Sequence, residues 1–217
     1  MRNFFFFSLI CHQLPSKTFS LNGQLMPLCS RCTGIYTGFL VALIFQLILG
    51  GKRKDKFPFL GISLLSIVFI LLMPSQVVGS QVISWLDNNH FRFLTGLLFG
   101  SSISIFLFPI FSYSLFKKSI DKQAIKNWKE YFLLIVILAI IFLIHFIKIS
   151  FAFYFLSYAS IIGIVVAYII INSFLSSLII GWKRKKKNYK LVLSLIFLII
   201  LFFFGEIMLF RHNLLKF

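Results

Sequence analysis

The sequence predicts an all-α integral membrane protein, a bundle of about six transmembrane helices preceded by a Cys/His loop. Three observations point there. Hydrophobic residues make up 59% of the 217-residue chain and charged residues only 12%, about half the share of a soluble domain. The 30 phenylalanines and the long Ile/Leu runs suit lipid as the solvent. The Lys and Arg residues fall in blocks between apolar runs, the pattern of loops facing anionic lipid. A net charge of +17 ordinarily raises nucleic acid as a partner. Basic blocks set between spans identify the lipid bilayer instead, and nucleic acid is not expected.

A hydrocarbon core of about 30 Å requires about 20 apolar residues per helix, with roughly 17 at the lower end. Six candidates follow, at about 33–49, 57–73, 93–116, 132–147, 149–180 and 191–210, the fourth short and the fifth long. The second begins at Pro58, where proline is tolerated, and Pro74 lies just past its expected end. Lys148 and Ser150 mark a tight helical hairpin between the fourth and fifth. The whole chain, 1–217, reads as one transmembrane domain, with 1–32 as the Cys/His loop and 33–210 as the bundle. The short apolar run FFFFSLI, with no small-residue cleavage site, reads as a retained segment dipping into the interface.

Loop charges orient the bundle. Segment 50–56 carries four Lys/Arg, 117–131 five and 183–190 six, and a six-helix threading puts all three on one side. The division is 15 to 7, so that side is expected to be cytoplasmic, in the cell membrane. Both termini and the cysteines then face outward. His12, His90, His145 and His212 fall on the outer half, with Asp87 and Glu206.

All three cysteines lie in CHQLPSKTFSLNGQLMPLCSRCTG. Cys29 and Cys32 form a C-x-x-C, half of a zinc knuckle, and Cys11 or His12 supplies further ligands across the loop. Thiolates also suit Cu(I). The same residues admit a membrane thiol–disulfide oxidoreductase, since a helix N-terminus stabilises a thiolate. They also admit a structural reading, with Cys29–Cys32 as a static staple or simply buried thiols. A small-solute or lipid transporter would need a polar path, for which His145, Glu206 and Asn172 are the candidates. There is no Walker motif, no H-E-x-x-H, no G-x-S-x-G and no pair of intramembrane acids, so no enzyme class is assigned.

Helices one and three share a packing signal. Gly34 and Gly38, and likewise Gly96 and Gly100, are spaced G-x-x-x-G, which lets backbones approach closely in lipid. Such a contact would bring Arg92 and Thr95 to the start of helix one, near Arg31 and Thr33. Arg31 and Arg92 would then be available to an anionic group.

Taken together, Cys11, His12, Gln13, Pro15, Phe19, Gly23, Pro27, Cys29, Arg31, Cys32, Thr33, Gly34, Ile35, Tyr36 and Gly38 resemble the signature of a family of small prokaryotic multi-pass membrane proteins, a domain of unknown function. Arg92, Thr95, Gly96 and Gly100 are similar to its second block, R-x-x-T-G-x-x-x-G. The resemblance covers about residues 8–105 and implies that the loop and the third-helix block act as a unit. Family members commonly carry Asp-Gly with a nearby Gln in the loop before that block; this chain has Val78-Gly79 with Gln81.

Overall fold

Apolar runs with no polar backbone partner in lipid must satisfy their own N–H and C=O groups, and helices do this within one segment. The computed structural model describes residues 10–11, 13–50, 56–115, 123, 125–147 and 149–179. The fold is all-α. Its helices are α1 (Ser30–Gly50), α2 (Leu60–Val82), α3 (Asn89–Leu115), α4 (Trp128–Ile144) and α5 (Ser150–Ile179). A two-stranded ribbon, β1 (Ser20–Leu21) and β2 (Gln24–Leu25), precedes them.

Four stretches are long and apolar enough to cross a membrane: Ser30–Leu49, Leu60–Val82, Asn89–Ser112 and Ser150–Ser173. With 17 residues, α4 reaches about 25 Å, short of a full crossing. The expected sixth span, 191–210, lies outside the described residues, as do Glu206, His12, His212, Lys148, all of FFFFSLI but Ile10, and the basic run 183–187. The expected count of about six therefore stands at four long helices and a shorter fifth among the described residues.

One boundary needs correction. The second helix does not stop before Pro74 but runs on to Val82 with the proline inside it. Pro74 supplies no N–H to the Ile70 carbonyl four residues back. In the same turn the Ser75 hydroxyl donates to the Leu71 carbonyl at 2.6 Å and to that of Leu72 at 3.1 Å, adding polar contacts to the helix beside the proline. Val78 and Gly79 consequently lie in helix, not in a loop.

Helices α1 and α3 form the inner pair, and their contact is reciprocal. A Cβ on Gly34 would collide with the Phe93 carbonyl and one on Gly38 with that of Leu97; a Cβ on Gly96 would collide with the Arg31 carbonyl and one on Gly100 with that of Ile35. Gly163 seats α5 against the Tyr36 carbonyl in the same way. Around this seam, Ala42, Phe45, Phe93, Leu97, Leu134 and Leu138 close one core cluster. Gln46 bridges the pair, its Nε2 donating to Ala42 O at 3.1 Å and to Ser104 Oγ at 3.3 Å. By contrast, α2 turns Leu64, Ile67, Val68 and Leu71 outward, as a lipid-facing helix does.

The direction of the helices gathers their ends. The starts of α1, α3 and α5 and the finish of α4 meet at the end of the bundle that carries the ribbon. At the other end an isolated bridge pairs Lys56 with Gln123.

Candidate metal centre

The loop that holds the cysteines is shaped by local backbone chemistry. Asn22 and Gly23 both take positive φ, at 50° and 78°, the geometry a two-residue turn between twisted strands demands. Register follows, with Ser20 opposite Leu25 and Leu21 opposite Gln24. Before the ribbon, a 3₁₀ turn at Pro15–Lys17 folds the chain back, and Thr18 Oγ1 donates to Leu14 O at 2.8 Å. Gln13, with φ at 44°, donates through Nε2 to Pro27 O at 2.8 Å and ties the two arms of the loop together. Ser30 Oγ anchors the arm to α1 by donating to Lys17 O at 3.0 Å.

The result is convergence of three sulfurs. The Sγ atoms of Cys11, Cys29 and Cys32 all lie within 4.8 Å of one another, and all three are free thiols. Cys29 caps α1, its carbonyl accepting from Thr33 N at 2.9 Å, while Cys32 sits in the first turn. Cys11 is buried, 4% exposed, among Leu28 and Ile164, with Tyr36 and Tyr168 packed around them. The backbone N–H of Cys29 donates to Cys11 Sγ at 3.1 Å. Thiol hydrogen bonds from Cys11 and Cys32 hold the Cys29 thiol well below its ordinary range. Donation to Cys29 and then burial push the Cys11 thiol up.

These groups fit a metal ion. A tetrahedral ion with bonds to sulfur of about 2.3 Å spaces its sulfurs about 3.8 Å apart, inside the observed limit. A backbone N–H aimed at a sulfur is the kind of outer contact that steadies a bound thiolate. Arg31 lies within electrostatic reach of Cys29 and Cys32, where its charge would favour a thiolate. The three cysteines could therefore hold one metal ion.

The expected supporting residues divide. Thr33 is buried and donates through Oγ1 to Leu28 O at 3.3 Å, fixing the arm that leads into Cys29. Among the described residues Thr95 bonds its own helix, at Phe91 O and Arg92 O, and the four glycines serve the α1–α3 seam. His145 is not at the sulfurs. Its Nε2 meets His90 Nδ1 at 2.7 Å, its ring lies 4.2 Å from that of Phe19, and both histidines line a cavity of about 220 Å³.

Sequence reasoning missed three partners. Gln76, buried on α2, accepts from Arg31 Nη2 at 2.7 Å and donates to Leu86 O at 2.7 Å. Asp87 pairs with Arg92, and His90 pairs with His145.

The Arg92 guanidinium beside Asp87 holds its carboxyl below the usual carboxylate range, with Lys17 and Arg31 adding to the effect. A carboxyl lowered in the folded state contributes stability that is present above its unfolded value, about 3.9, and is lost as pH falls through the folded value. Thermal unfolding of wild type and Asp87→Asn in detergent should therefore differ at pH 7 and converge only in acid below about pH 4. A gap that persists unchanged well below that pH, with no convergence in acid, would contradict the pairing.

Comparison with known proteins covers this half of the chain. The family described as Predicted membrane protein (DUF2085) matches residues 11–108, from Cys11 to within α3. The uncharacterized protein MJ1492 of Methanocaldococcus jannaschii is 38% identical over 114 residues, 52% of this chain and 70% of that protein. An uncharacterized protein of Methanothermobacter thermautotrophicus is 33% identical over 101 residues, 46% of this chain and 85% of that protein. No solved structure matches the chain.

Proposed function

The chain belongs to the DUF2085 family of predicted membrane proteins, and on that premise we propose that it is a cell-membrane protein whose Cys11, Cys29 and Cys32 hold one soft metal ion. The observation that supports this reading is the convergence of three sulfurs from two chain segments within 4.8 Å. Zinc and Cu(I) are the ions that thiolates of this kind favour. His12, adjacent to Cys11, is the natural fourth ligand for zinc; without it the ion keeps an open position. The excess of Lys and Arg in 50–56, 117–131 and 183–190 supports a threading of six helices that puts the metal centre on the outer face.

The test is elemental analysis of the full chain purified in detergent without added metal. Close to one equivalent of zinc or copper is expected, and no stoichiometric metal would overturn the proposal. An impermeant maleimide applied to intact cells should label the thiols once a chelator has removed the ion. Labelling only after lysis would place the centre on the cytoplasmic side.

A further inference from the structure

Two arginines occupy the same end of the bundle, and each keeps a buried Nε with no acceptor among the described residues. Arg31 lies in the first turn of α1 and Arg92 in the first turn of α3. A helix N-terminus carries partial positive charge, so it favours an acidic residue and disfavours a basic one. Neither helix has an acid in its first turn. Two helix starts and two guanidiniums therefore concentrate positive potential at one place.

Hydrogen bonding shows the same deficit. A guanidinium offers five N–H donors and no acceptor. The side-chain acceptors that meet these two are Gln76 Oε1 on Arg31 and Asp87 Oδ1 on Arg92. Arg92 is only 5% exposed, and the Nε atoms of both arginines are buried with no hydrogen-bond partner among the described residues. A buried charged donor left unpaired is costly, so a site that retains two of them is built for an acceptor from outside. Lys17 adds a third cation within reach of Asp87, as does Arg31. Even with one negative charge assigned to the sulfurs, the cations outnumber the anions.

We propose that Arg31 and Arg92 form an anion site for a phosphate group, reached past the half-buried Arg31 and closed behind by the buried Arg92. Phosphate fits because its oxygens are arranged to accept two N–H donors from one guanidinium, and two arginines on adjacent helices can hold opposite edges. Glycine packing fixes the spacing of the pair, since Gly96 rests on the Arg31 carbonyl. The phosphate comes either from a lipid headgroup or from a soluble phosphate. Arg31 also neighbours the sulfurs, but this proposal does not require a bound metal, because its ligand is an anion held by the two arginines.

The experiment uses the full chain in neutral detergent at low salt, with metal content held constant. Inorganic phosphate and short-chain phosphatidic acid are titrated separately while tryptophan fluorescence is followed; Trp85, next to Leu86 and Asp87, is placed to report. Saturable binding of phosphatidic acid that inorganic phosphate does not displace identifies a lipid headgroup. Binding of inorganic phosphate itself identifies a soluble ligand. Arg92→Gln and Arg31→Gln should each weaken whichever probe binds by about tenfold or more, the range for one charged hydrogen bond. Asp87→Asn removes the competing carboxylate and should tighten binding, a gain that misfolding cannot imitate. Binding of neither probe, or equal binding by wild type and both arginine variants, would overturn the proposal.

Discussion

Gly100→Val should separate the two inner helices and lower stability by about 3 kcal/mol, the upper part of the usual range for overpacking. The reason is the identity of the obstructing atom. A side chain at this position meets the backbone carbonyl of Ile35, which cannot rotate away as the tip of a flexible side chain can. Relief requires α1 and α3 to move apart, and the movement also lifts Gly34, Gly38 and Gly96 from their seats. For a chain of this length the corresponding fall in Tm is about 6–12 °C. Gly79→Ala is the control, because the added methyl would meet only the Leu86 side chain, at 3.0 Å from Cδ1. If the two variants melt together in detergent, the seam is not what holds the pair.

Cys29→Ser should abolish stoichiometric metal binding while leaving the helices folded. Cys29 is the sulfur that both other thiols address, and it sits at the cap of α1. Serine keeps the cap, since a hydroxyl serves there well, but it removes a thiolate from a set of three. Structural zinc contributes roughly 10–16 kcal/mol in small peptides, so a lost ligand is expected to cost several orders of magnitude in affinity. Competition with a chromophoric chelator measures it directly. Cys11→Ser should match this loss although its position is 18 residues away in sequence. Retention of metal by Cys11→Ser would remove the loop arm from the site and leave only the C-x-x-C.

Much of this arrangement can be read from residue types alone, and the reasons differ by element. The glycine seam is legible because two G-x-x-x-G spacings on apolar runs have one common physical use. The sulfur cluster is legible because every cysteine falls within one short stretch. The length of α2 is not. Pro74 reads as a terminator, yet the helix runs through it to Val82, because proline is tolerated inside a membrane helix. His145 reads as a candidate for a polar path; only the meeting of the α4 finish with the α3 start gives it His90 as a partner. The pairs Arg31–Gln76 and Arg92–Asp87 depend on how a helix connection folds over, and no periodicity encodes that. The Asn22-Gly23 dipeptide did carry its hairpin openly, by the backbone preference of those two residues.

Arg31 stands between Cys29 and Cys32, and its carbonyl is the surface on which Gly96 rests. The sulfur ring thus shares its backbone with a helix–helix contact that has no slack. Cys11 reaches the ring on a loop arm, whereas the Cys29–Cys32 edge cannot widen without disturbing the seat of Gly96. On the proposed reading as a metal centre, ionic radius would then count alongside affinity for sulfur. An ion that needed a wider Cys29–Cys32 edge would meet the stiffness of the α1–α3 contact as well as the chemistry of the thiols.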